Sequence, residues 1–155
     1  MWLLLAILFA SDSAFAEFAK YPAETALKNP AAPVRMETSR AREFRTVLRR
    51  EAVVGPNFNG HYRIAKWGCG TNCIEWAVIN LVNGSTWFAP HPQSSCFVPE
   101  GSIENAHSDW LESRVDSRLF YIYGCSKPSN RTFNRRYVYE WKNARAALRR
   151  VEHLE

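Results

Sequence analysis

The chain has 155 residues, with 20 Lys+Arg against 15 Asp+Glu, 46% hydrophobic residues, four Cys and six Trp. That is one domain's worth of chain, long enough to bury a core and short for two. With 14% aromatic and 23% charged residues it is not a disordered chain, and its one uninterrupted apolar run is too short to span a bilayer.

Residues 1–16 read as a secretory signal peptide. Trp2 to Ala10 is an apolar stretch, and Ser11-Asp12-Ser13 is a polar break. Ala14-Phe15-Ala16 fits the small-x-small rule for cleavage after Ala16, although no Lys or Arg precedes the apolar stretch. Cleavage leaves Glu17 to Glu155, with 20 bases against 14 acids and a net charge of +6. The expected location is the periplasm or the medium, with no integral membrane segment after cleavage. In that oxidising compartment Cys69, Cys73, Cys96 and Cys125 are expected to form two disulfides. Of the three connectivities, Cys69–Cys73 with Cys96–Cys125 is favoured, because Gly70-Thr71-Asn72 allows a tight closure.

Residues 17–37 carry Pro22, Pro30 and Pro33 without a sustained period, the pattern of an extended leader that lies on the domain or is partly mobile. Residues 38–155 then form a single domain. Thr38 or Ser39 caps a helix in which Ala41, Phe44, Val47, Leu48 and Ala52 recur at helical spacing, with arginines on the remaining faces. Gly55-Pro56 ends it.

After Pro56 the period changes to two. In His61 to Trp67, Tyr62 and Ile64 share one face, and His61, Arg63 and Trp67 share the other. Ile74 to Val82 is apolar on both faces, as in a central strand. Asn83-Gly84 is the strongest hairpin signal, with Ser85 to Ala89 as the return strand. Pro90, Pro92 and Pro99 leave at most a short strand at Cys96 to Val98. Arg118 to Gly124 and Arg135 to Trp141 are two more strands, joined by a polar loop, and Ala144 to Val151 is a last strand or a short helix. The expected fold is α+β: an antiparallel sheet of five to six strands with one N-terminal helix packed on it.

The densest pattern is Asn57-Phe58-Asn59-Gly60-His61-Tyr62 followed by Trp67-Gly68-Cys69-Gly70-Thr71-Asn72-Cys73. This stretch resembles a group of small exported bacterial proteins of unknown function that share an N-F-x-G-H-Y strand followed by W-G-C-G-x-x-C. The resemblance spans about residues 41 to 90. It implies compartment and fold, and no established activity.

The chemistry-bearing residues favour binding over catalysis. His61 and Cys69 stand eight residues apart at opposite ends of one strand, about 26 Å at the rise of an extended chain, so they form no dyad. The C-x-x-x-C spacing lacks the helix N-terminus that activates redox cysteines. His61, His91, His107 and His153 show no ligand spacing, so no metal and no cofactor are expected. His107-Ser108-Asp109 holds the residue types of a hydrolase triad, but sequence neighbours rarely converge on one site.

Charge is uneven. Trp67 to Ser113 holds five acids and no Lys or Arg, whereas Arg114 to Arg150 holds ten bases against Asp116 and Glu140. With Tyr137, Tyr139 and Trp141 interleaved, this segment is either a surface for an anionic partner or a solvated basic face. Export argues against nucleic acid. The expected function is a non-enzymatic envelope binding module (inhibitor, immunity-type or accessory factor) for an envelope protein or an anionic envelope component. Its candidate binding residues are His61, Arg63, Trp67, Arg135, Arg136, Tyr137 and Tyr139. The alternative is a small envelope hydrolase or transferase using His61 with a polar or thiol partner. For His61, Arg63 and Trp67 a second outcome is open, in which the helix from Ser39 to Ala52 covers their face and makes them structural.

Overall fold

The computed structural model describes residues 12–70, 73–89, 93–94, 111–124 and 135–153. Three helices precede the strands: α1 (Asp12–Ala19), α2 (Ser39–Glu43) and α3 (Arg45–Val54). Eight strands follow among the described residues: β1 (Tyr62–Gly70), β2 (Cys73–Asn80), β3 (Thr86–Phe88), β4 (Gln93–Ser94), β5 (Leu111–Ser113), β6 (Leu119–Gly124), β7 (Arg135–Lys142) and β8 (Arg145–His153). The chain is α+β with antiparallel pairing throughout. The strands form two sheets, however, and not one of five or six. The first runs β1-β2-β3, with β4 also paired to β2, and the second runs β5-β6-β7-β8.

Alternation along each strand produces three apolar layers. Tyr62 and Ile64 of β1 and Trp76 and Val78 of β2 face Phe120, Ile122 and Trp141 of the second sheet. Phe58 fills the centre of that layer, wholly buried and edge-on to Phe120 (5.2 Å) and Trp141 (6.2 Å). The opposite face of the first sheet, through Ala65, Ala77 and Ile79, packs on Ala41, Leu48 and Ala52 of the helices. The outer face of the second sheet, through Leu119, Tyr121, Tyr123 and Val138, packs on Phe18. A single sheet with two sides has no place for three such layers, which is why the strands divide.

The helix expected from Ser39 to Ala52 is two. Thr38 caps α2, its Oγ1 accepting from the Ala41 N–H at 3.0 Å. The helix then breaks at Phe44 (φ −95°, ψ 18°), whose ring turns in against Trp67 at 4.7 Å. The hairpin after β2 is longer than a two-residue turn. Asn80 Oδ1 accepts from the N–H groups of Val82 and Asn83, and of the turn residues only Gly84 has a positive φ (74°). The last segment is a strand, β8, carrying a bulge opposite Val138 and Tyr139. The strand expected at Cys96 to Val98 lies outside the described residues.

Residues 20–37 are extended and bound to the domain at successive points. Ala23 N–H donates to Asp116 O, Leu27 N–H to Gly60 O, Ala32 N–H to Leu81 O and Arg35 N–H to Gly84 O. The leader therefore belts both sheets. Among the described residues no helix is long and apolar enough to cross a membrane.

Candidate functional site

The Asn57–Tyr62 motif is a clasp for the leader. Asn57 closes the turn into β1, its Oδ1 accepting from Ile64 N–H at 2.7 Å and its Nδ2 donating to Ile64 O at 3.1 Å. Asn59 is fully buried at φ 43°. Its Oδ1 accepts from Glu24 N–H at 2.8 Å and its Nδ2 donates to Glu24 Oε1 at 3.2 Å. Gly60, at φ 77°, lets the leader backbone pass where a Cβ would stand 2.5 Å from Glu24 O. His61 Nδ1 lies 2.7 Å from Thr25 O, so that nitrogen carries the proton and donates. Tyr62 Oη donates to Glu24 Oε2 at 3.5 Å. Burial, with the Glu24 carboxylate adding to it, holds the Tyr62 phenol above its ordinary value.

His61 is thereby a structural donor, and the Glu24 carboxylate is 3.9 Å from its Nε2, beyond hydrogen-bond length. Arg63 and Trp67 share its face of β1, and that face is covered. Arg63 donates to Glu51 of α3 through Nε (3.2 Å) and Nη2 (2.8 Å), and to Gly55 O (3.3 Å) at the helix end. Trp67 packs against Phe44 (4.7 Å) and Phe88 (6.3 Å), and its Nε1 donates to Glu75 Oε2 at 3.2 Å. The helical segment therefore meets Arg63 and Trp67, whereas His61 meets the leader.

The residues expected on β7 split between its two sides. Arg136 points outward into an ion-pair row, bonded to Glu152, with its guanidinium 4.7 Å over the Tyr121 ring. Arg150 bonds Glu152 from the other side and also pairs with Glu17. Tyr121 donates to Glu17 and Tyr123 to Glu112, each at 2.8 Å. Burial, then the hydrogen bond to Glu112, pushes Tyr123 up to about 12, and burial with the Glu17 bond raises Tyr121 further. Burial alone would raise Glu152, but its bonds from Arg150 and Arg136 outweigh this and hold it below the usual carboxylate range. Elsewhere Glu140, nearly buried, pairs with Arg118 (2.9 Å) and Arg149 (3.5 Å), and Arg114 pairs with Asp116 at 2.6 Å. Much of the basic segment is therefore neutralised inside the molecule.

Arg135, Tyr137 and Tyr139 lie on the inner side of β7 and share one shelf. Cross-strand partners place His153 opposite Arg135, Val151 opposite Tyr137 and Leu148 opposite Tyr139. Leu148 and Val151, on the edge strand β8, are 52% and 39% exposed. Tyr139 stacks on Phe120 (5.2 Å, 12°) and lies 6.2 Å from Trp76. Among the described residues, the Nε of Arg135 and the indole N–H of Trp76 are buried donors without a hydrogen-bond partner. Tyrosine rings and an apolar margin occur together here. The apolar margin on β8 was missed from the sequence, since it depends on that segment being a strand.

Cys69, exposed near the end of β1, is disulfide-bonded. Cys96, Cys125, His91 and His107 lie outside the described residues. No group of His, Cys, Asp or Glu among the described residues is arranged to hold a metal ion. Compared with protein-family models, curated proteins and solved structures, the chain matches none.

Proposed function

We propose that this is an exported, non-enzymatic binding module of the bacterial envelope, similar in kind to the small exported proteins its motif resembles. Its partner is an envelope protein or an anionic envelope component. The observation that carries the reading is the β7–β8 shelf, where Arg135, Tyr137 and Tyr139 stand in line beside exposed Leu148 and Val151. Arginine and tyrosine dominate binding sites because they bring bidentate donors and large rigid contact area.

Processing after Ala16 fits this reading, because Glu17 and Phe18, which would begin the mature chain, are the residues seated on the second sheet. Cys69–Cys73 and Cys96–Cys125 remain the proposed disulfides, to be read by non-reducing peptide mapping. The function is tested by pull-down from envelope extract with the natural protein and with Arg135→Ala/Tyr137→Ala. A specific partner retained by the first and lost by the second is the expected result. Equal retention by both sinks the shelf as the site. Turnover of an envelope substrate that His61→Asn abolishes would replace the whole reading with an enzymatic one.

A further inference from the structure

The solvent side of α3 carries a second surface, separate from the β7–β8 shelf. Leu48 and Ala52 turn inward, so the outward arc consists of two adjacent rows at i, i+4, i+8 spacing: Arg45, Arg49, Val53 and Thr46, Arg50, Val54. All six are exposed, and the two valines that end the rows are 83% and 64% exposed. No acid stands on this arc. Glu51, the acid of α3, lies on the inward side, held by Arg63. Arg45 donates to Arg42 O at 3.1 Å and Arg50 is 3.6 Å from Glu51 with 67% of its side chain exposed, contacts that leave both charges at the surface. Among the described residues Arg49 has no ion-pair partner.

We infer that this arc docks the protein on an anionic phospholipid surface, with the arginines at headgroup level and Val53 and Val54 entering the boundary of the acyl region. Three like charges with no acid among them complement an anionic surface. Two bare apolar side chains at the tip have nothing to gain from a polar polymer and much to gain from a lipid boundary. A second copy on the same face would set arginine against arginine. The arc also holds no aromatic ring on which a nucleic-acid base could stack. Attachment of this kind is weak, reversible and salt-dependent, since neither a few charges nor two valines anchor a protein alone.

The test is co-sedimentation with vesicles of phosphatidylcholine alone and of phosphatidylcholine mixed equally with phosphatidylglycerol. Three forms with the same N-terminus are compared, so that the apolar stretch Trp2 to Ala10 contributes equally: the natural chain, Arg45→Gln/Arg49→Gln/Arg50→Gln, and Val53→Ser/Val54→Ser. At about five-fold per arginine, the triple variant should bind the anionic vesicles about a hundred-fold more weakly. The valine variant should bind several-fold more weakly at unchanged charge. Melting temperatures should be nearly equal, because every altered side chain is exposed. Equal binding by all three forms, or no preference for the anionic vesicles, overturns the inference. So does binding to soluble heparin that matches the vesicles and ignores the valine change, which would make the ligand an anionic polymer. A shelf that fails its pull-down leaves this result untouched, because the two surfaces share no residue.

Discussion

Asn59 and Glu24 exchange two hydrogen bonds across 35 residues of chain, the Asn59 amide accepting from the Glu24 backbone and donating to its carboxylate. One fully buried side chain thus fixes the leader onto the turn that starts β1. Asn suits the position twice over, since it tolerates the left-handed φ of 43° and its amide supplies both a donor and an acceptor.

Replacing Asn59 by Ala removes both bonds and places a less tolerant residue at positive φ. The expected loss is about 2–4 kcal/mol, read from urea denaturation. Limited proteolysis should find new cuts between Pro22 and Leu27, where the leader is freed. An Asn59→Ala protein with native stability and an uncut leader would show that the clasp does not hold the belt.

Arg63 is an internal strut, so Arg63→Ala should destabilise by about 1–3 kcal/mol by leaving Glu51 and the carbonyl of Gly55 without their donor. Binding through the β7–β8 shelf should be unchanged in protein that remains folded. A double-mutant cycle with Glu51→Ala separates the pair energy from simple truncation. A near-zero coupling energy would reduce the contact to a solvated ion pair.

Acid should weaken the second sheet through Glu152. Its folded-state value is depressed, so the folded form binds fewer protons than the unfolded chain in the window just below the ordinary carboxylate value. The stabilisation is present above about pH 4.5 and fades as pH falls through the lower folded value. Denaturation curves of the natural protein and of Glu152→Gln should converge on acidification. Curves that remain parallel would remove Glu152 from the acid response.

In alkali the sign is reversed. Tyr123 is held neutral up to about 12 in the folded state, so its contribution is complete below about pH 10 and is lost between about 10 and 12. Ultraviolet titration should show phenolate appearing late for Tyr62, Tyr121 and Tyr123, with unfolding accompanying it. Tyr123→Phe should delay the alkaline transition. A transition that does not move would place the sensitive group elsewhere.

Local pattern in the sequence carried the strand faces, because alternation is set by the backbone pleat: Tyr62 and Ile64 do part from Ala65 and Trp67. Turn chemistry carried the helix cap at Thr38 and the glycine turns, since positive φ and short polar side chains act within a few residues. Only the tertiary structure decided how many sheets those strands make, because pairing depends on which apolar faces find each other across the whole chain. It alone decided that His61, Arg63 and Trp67 meet Thr25, Glu51 and Phe44, which sit on other segments whose approach no local pattern encodes. The same holds for the basic segment, whose arginines look free in sequence and meet Glu17, Glu140 and Glu152 only after folding brings distant carboxylates within Coulomb range.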